Sequence, residues 1–192
     1  MDDKLPVRAA IERLLPFPEP EWAFFRDHLQ AQDFQKEDYL CREGQVEQHL
    51  YFLISGLARS YYLKDGRAYT LDFFFPHDFA TAFTSFLQQR PAATNLQALE
   101  NTRTWKIHYT DLQTLYQRSA TAERIGRVIA EQQFIRRSLR ELELLSLTAR
   151  ERYQRLFDSH PELVARISVK HLSSYLGIHP ESLSRIRRQV AR

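Results

Sequence analysis

The sequence predicts an α+β protein with a strand-rich front half, one long helix and a C-terminal helix-turn-helix. Three observations lead there. From about residue 34 to residue 105, short runs rich in Tyr, Phe, Leu and Ile are broken by glycine-bearing turns. Around Ser119 the apolar period lengthens from two to roughly three and a half. The chain then closes on SYLGIHPESLSRIRRQVAR, in which a glycine divides two amphipathic stretches.

Composition narrows the class first. The 192 residues suffice for one large or two small domains. Hydrophobic residues make up 43% and charged residues 27%, the balance of a water-soluble protein. No apolar run is long enough for a transmembrane helix, and MDDKLPVRAA is too acidic and too polar for a secretory signal. A cytoplasmic protein is expected. Cys41 is the one cysteine, which excludes an internal disulfide and a cysteine-based cluster or zinc finger. The net charge of +3 is unevenly spread. Residues 147–192 hold nine Lys/Arg against four acids and are therefore +5, leaving −2 for the rest. That asymmetry suggests an anionic partner at the C-terminal end; a solvated basic face is the plainer alternative.

Taken in order, residues 20–37 read as a helix with Trp22, Phe25 and Leu29 on one face. The strands follow, with turns at REGQ, ISGL, KDGR and FPHD. Asp65-Gly66 between SYYL and AYTLDFF is the sharpest hairpin signal. Such spacing fits a sandwich, a barrel or a jelly roll. Residues 84–91 read as a short helix and a loop ending at Pro91. From Ser119 to about residue 146, Ile125, Val128, Gln132, Ile135, Leu139 and Leu142 recur at alternating steps of three and four. This is a coiled-coil seam, with Gln132 as a polar register-setting position. An amphipathic helix packed on its own domain is the alternative. After Thr148 the chain stays helical, with breaks at His160-Pro161 and Gly177.

The terminal pair can be argued position by position. Ser168 is a good N-cap for the first helix. Leu172 and Leu176 are its apolar positions, and Ser173 is small where the second helix crosses. Gly177 permits a left-handed turn. His179 precedes the second helix as its cap and Pro180 opens it, where no amide bond is lost. Ile178, Leu183, Ile186 and Val190 then face inward. Glu181, Ser182, Arg185 and Arg188 are left on one outward face. An arginine there can bridge guanine O6 and N7, and a glutamate can accept from the cytosine amino group. Ser182 and Arg188 suit phosphates. Ser168 and Lys170, at the start of the first helix, are further DNA-contact candidates.

Other classes fit less well. A cupin-like metal enzyme needs clustered histidines, and the seven here are scattered. His77, in FPHD, is the one candidate ligand, although a turn histidine is usually a capped polar side chain. No phosphate loop, nucleophile elbow or zinc-protease motif is present, so the reading is not an enzyme. A ligand-sensing or protein-interaction module is the remaining alternative.

The order of parts resembles the cyclic-AMP receptor/FNR (Crp/Fnr) superfamily of bacterial transcription regulators over nearly the whole chain. REGQVEQHLYFLISGLARSYYLKDGR is similar to the family's early strands, and GIHPESLSRIRR to its recognition helix. The resemblance implies an N-terminal β-roll (a double-stranded jelly roll like a cyclic-nucleotide-binding domain) over 1–118. It implies a dimerisation helix over 119–146 and a helix-turn-helix domain over 147–192. Glu181 and Arg185 fall on the family's base-reading Glu and Arg. Its preceding arginine is Pro180 here, so a different site is expected, and no long wing is expected after the helix.

The family's cyclic-nucleotide cassette, Gly-Glu, a short helix and Arg-Ser, falls on FATAFTSFLQQRPAATNLQA. Thr81-Ala82 replace Gly-Glu and Ala92-Ala93 replace Arg-Ser, while Arg90 lies two residues off. The pocket, with Phe83, Phe86 and Phe73 to Phe75 beside it, therefore reads as degenerate and not controlled by cyclic AMP. It is either effector-independent or open to a less polar small molecule. Expected partners are double-stranded DNA, a second copy of the chain, RNA polymerase and such an unidentified effector. No cofactor, metal or membrane is expected.

Overall fold

The structure, a computed structural model, describes residues 3–190, leaving out the side chains at 162, 163 and 190. The inward placement expected of Val190 thus lies outside what is described. Two helices come first, α1 (Leu5–Glu12) and α2 (Glu19–His28). The strands β1 (Gln30–Phe34), β2 (Tyr39–Cys41), β3 (His49–Ser55), β4 (Ala58–Lys64), β5 (Arg67–Phe74) and β6 (Phe79–Ala80) follow. A short helix α3 (Phe83–Gln88) precedes β7 (Asn95–Ala98) and β8 (Thr102–His108). The remainder is helical: α4 (Tyr109–Arg118), α5 (Ala120–Ser146), α6 (Ala149–Ser159), α7 (Pro161–Arg166), α8 (Val169–Leu176) and α9 (Pro180–Val190).

The strands make two antiparallel sheets, ordered β1-β8-β3-β6 and β2-β7-β4-β5, that close on each other as a roll. The core between them holds Phe34, Leu40, Tyr51, Leu53, Phe74 and Leu96. The Asp65-Gly66 hairpin forms as its sequence requires. Asp65 has φ 52° and Gly66 φ 74°, the paired left-handed geometry that matches strand twist.

One expectation is corrected here. The helix proposed over 20–37 ends at His28, because Leu29 turns extended and residues 30–34 pair with β8. Apolar spacing alone could not separate the two, since Trp22, Phe25 and Leu29 are buried in either reading. β3 explains why the front half read so apolar. Tyr51 and Leu53 face the roll interior, while Leu50 and Phe52 face outward under α2, α4 and the root of α5. Both faces of the strand are covered, so both are apolar.

The C-terminal helices share a third core with the roll. Leu57, Phe73 and Phe75 meet Tyr153, Val164, Ile167, Leu172, Leu176 and Leu183. Thr148 starts α6 with a reciprocal capping box to Glu151.

Candidate functional site

The terminal helices are built as their sequence dictates. The Ser168 hydroxyl accepts from the His171 N–H at 3.2 Å and so caps α8. Gly177 ends α8 at φ 68°, a conformation costly for other residues. The His179 carbonyl accepts from the Ser182 and Leu183 amides, and Pro180 opens α9. Leu172, Leu176 and Leu183 are fully buried, Ser173 is buried at the crossing, and Ile178 and Ile186 pack against the same core.

Most of the residues expected to face outward are exposed. Glu181, Arg185 and Arg188 are exposed on α9, and Ser182 is half-buried beside them. Ser168 and Lys170 are exposed at the start of α8. The structure also sorts the basic segment. Arg152 donates to the Leu147 and Leu176 carbonyls, and Arg187 to the Val164 carbonyl. Arg155 bonds Glu143 at 3.2 Å, and Arg166 pairs with Glu100. Arg152, Arg155 and Arg187 hold the helices together and Arg166 ties them to the turn between β7 and β8, whereas Arg150, Lys170, Arg185 and Arg188 are exposed.

The helix pair is fastened to the roll at the free edge of β5. The Ser174 hydroxyl accepts from the Thr70 amide and donates to the Ala68 carbonyl, each at 2.9 Å. Arg59, 6% exposed, stacks on Tyr61 at 4.0 Å and bonds Gln97 and His171. From α5, Arg140 lies over the Tyr175 ring at 3.8 Å and donates to the Tyr175 carbonyl. That carbonyl stands at the C-terminal end of α8, where a cation is favourable.

The expected seam divides in two. Ile125 is buried with Ala122 in the chain's own front core, against Leu112 and Leu115, and Val128 is half-buried. This first part of α5 therefore follows the packed-on-itself alternative. Gln132, Ile135, Leu139 and Leu142 are exposed on the part beyond it, Leu139 at 55%. Sequence reasoning passed over Phe134 and Leu145, which are 72% and 81% exposed on a neighbouring stripe. A single heptad seam does not include them, although their spacing of eleven residues keeps them on one face. A groove of about 1100 Å³ borders the exposed part, lined among others by Tyr62, Tyr69, Leu71, Ile135 and Leu139.

In the roll, Ala82 and Ala92 are buried, Phe83 is half-buried, and Arg90 and Ala93 are exposed. The Ala92 main chain is held by Gly44 and Gln45. Glu47 is buried close to Ala82, with its Oε2 3.5 Å from the Ala82 N–H.

Comparison with known proteins adds the family. The model of the cyclic nucleotide-binding domain matches residues 31–119. This segment belongs to the cyclic nucleotide-binding domain family. The roll, from β1 through α4, is that domain. No curated protein matches the chain. Among solved structures, FixK2 from Bradyrhizobium japonicum is similar at TM-score 0.77 and 19% identity, covering 85% of this chain and 84% of that one. The c-di-GMP responsive global regulator CLP of Xanthomonas campestris matches at TM-score 0.70 and 20% identity, covering 91% and 92%. The Thermus thermophilus catabolite activator protein matches at TM-score 0.59 and 19% identity, covering 95% and 86%. The chain thus has the fold of the Crp/Fnr regulators.

Within the cyclic nucleotide-binding domain, the expected aromatic lining is corrected. Phe74 alone of Phe73 to Phe75 joins the roll's inner core; Phe73 and Phe75 lie outside it, under the C-terminal helices. Alternation along a strand sends neighbours to opposite faces. Phe86 packs with the front helices instead, its ring 5.3 Å from that of Tyr109. His77 is an exposed turn residue at φ 75°. Among the described residues, no three His, Cys, Asp or Glu side chains converge as a metal set, and no helix is long and apolar enough to cross a membrane.

Sequence reasoning also missed Glu47 in this domain. In VEQHLY it reads as an ordinary polar residue before a strand, and only the closure of the roll buries it. Burial pushes its carboxyl up to about 7, against the N–H groups of His49 and Ala82 that favour the ionised form. The Cys41 thiol nearby is pushed up to about 12 by burial and by the Glu47 charge.

Proposed function

We propose that the chain is a DNA-binding transcription regulator that acts as a homodimer on a palindromic site and does not use cyclic AMP. One observation carries this reading. The outward face of α9 presents Glu181, Arg185 and Arg188, while Leu183 is fully buried behind it. Such a helix fits a major groove, with arginine and glutamate reading base edges and other cations meeting phosphates.

The exposed apolar part of α5 supports the dimer. Ile135, Leu139 and Leu142 form an exposed face that a second α5 would cover, with Phe134 and Leu145 on the stripe beside it. In this reading residues 1–118 are the sensory roll, 119–146 the dimerisation helix and 147–192 the DNA-binding domain. The loss of cyclic AMP control follows from Ala82 and Ala92 at the two charged cassette positions. RNA polymerase is the further partner such a regulator would meet.

The test is enrichment of bound duplexes from a random pool by the purified protein. A two-fold symmetric motif, bound with a steep salt dependence, supports the reading. Retention with no sequence preference overturns it.

A further inference from the structure

The exposed part of α5 can be mapped by angle. Arg136 faces the chain's own roll, where its Nη2 donates to Asp72 Oδ1 at 2.8 Å and to the Phe73 carbonyl at 2.9 Å. Counted from Arg136 at about 100° per residue, in one sense round the helix, Leu139 stands at about 60°, Ile135 at about 100° and Leu142 at about 120°. Leu145 and Phe134 follow at about 180° and about 200°. These last two are therefore turned away from the roll, and they are 81% and 72% exposed. A partner helix lying over Ile135, Leu139 and Leu142 leaves Phe134 and Leu145 on the flank opposite the chain's own roll.

On the near flank, helix and roll stand apart. The groove of about 1100 Å³ has Ile135 and Leu139 of α5 on one side and Tyr62, Tyr69 and Leu71 of the β4–β5 hairpin on the other. The Tyr62 and Tyr69 rings stack at 5.0 Å and 14°. Leu71, two residues along the same strand face, is 42% exposed. Such a wall suits an apolar or aromatic side chain.

We propose that the occupant of this groove is Phe134 of a second copy. The inference rests on the α5 dimer of the proposed function and specifies how that dimer closes. A two-fold axis running along two parallel helices places the two rolls on opposite sides of the helix pair. The flank of one helix that is turned from its own roll then lies on the side of the other chain's roll. In register, Phe134 stands at the height of the second copy's Ile135, which lines the groove there. The symmetry makes the contact twice, so each chain closes the other's groove. The charges also agree. Glu141 is exposed on the stripe of Phe134 and Leu145, and exposed Lys64 and Arg67 flank the hairpin turn. The β4–β5 hairpin of the roll is thereby a dimer contact as well as a wall of its own domain.

Cysteine cross-linking tests this in the full chain. Phe134→Cys and Leu71→Cys replace exposed side chains, and the native Cys41 is buried. Mixed, re-equilibrated and treated with a short bismaleimide, the two variants should give a covalent dimer. Phe134→Cys mixed with Leu63→Cys, which lies outside the groove, should not. Sedimentation of the wild type is the companion measurement. A dimer whose Phe134→Cys and Leu71→Cys variants do not cross-link overturns the groove contact and leaves the α5 pairing standing. A monomer at every concentration overturns both. Phe134→Asp should raise the dimer dissociation constant on the order of tenfold or more, and an unchanged constant overturns the proposal.

Discussion

Arg59 donates through Nη1 to Nδ1 of His171 at 2.9 Å, joining β4 of the roll to α8. A guanidinium offers no acceptor, so Nδ1 must accept and carries no proton. Burial, Arg59, Lys170 and Lys36 lower this imidazole from 6.5 to about 4. The folded value lies below the free one. Neutral His171 thus supports the fold fully above about 6.5, and that support is lost as pH falls toward about 4. The denaturation midpoint of the wild type should drop across this window, and His171→Gln should remove part of the slope. His49, also lowered to about 4, supplies another part. An identical acid slope in wild type and His171→Gln would show that the contact carries no protonation linkage.

Ser174 closes the edge of β5, whose Ala68 carbonyl and Thr70 amide no strand pairs on that side. Ser174→Ala leaves both groups without that partner and should destabilise the protein by about 1–3 kcal/mol. The specific readout is exchange at the Thr70 amide, which should accelerate well beyond that of its neighbours. Unchanged exchange there would mean that α8 is not fastened at this edge in solution.

These two contacts also show what sequence could and could not reveal. Ser168, Ser173, Gly177 and Leu183 were readable because each answers a local demand: a cap, a close crossing, a left-handed turn, an inward position. The Asp65-Gly66 hairpin was readable for the same reason. Arg59–His171 spans 112 positions and Thr70–Ser174 spans 104, and no local pattern encodes such pairings. Glu47 and Phe73 stayed hidden for a related reason, since what surrounds them is set only when sheets and helices close over each other. Ile125 looked like the first residue of a seam because a buried core position and a coiled-coil position share one spacing.

Leu139 tests the dimer. Covering such a side chain contributes about 1.5–3 kcal/mol when burial is complete, and a charge there would have to be buried without a partner. Leu139→Glu should sediment as a monomer and bind a palindromic duplex poorly. An unchanged dimer would move the interface elsewhere, with the Phe134 and Leu145 stripe as the next face to alter.

Arg185 and Arg188 share the outward face of α9 but should fail differently. Arg185→Ala should cost roughly 1–3 kcal/mol at a specific half-site and relax the preference at one base pair. Arg188→Ala should weaken all duplexes alike and flatten the salt slope. Binding titrations on specific and scrambled duplexes, over a series of salt concentrations, separate the two. Unaltered base preference in Arg185→Ala would remove it from the reading surface.

Cyclic AMP should give no saturable heat at micromolar concentrations. Its phosphate charge needs a cation once it leaves water, or the desolvation cost is not recovered. At the cassette positions for the acid and the arginine stand Ala82 and Ala92, both buried and uncharged. Arg90, the nearest cation in the segment, is exposed. Glu47 worsens the match, because its ionised form would add a like charge near the Ala82 amide. Titration calorimetry on the wild type measures the outcome, with Arg90→Ala as the companion. Saturable binding lost in Arg90→Ala would mean that this side chain turns inward to meet the phosphate and that the pocket is functional after all.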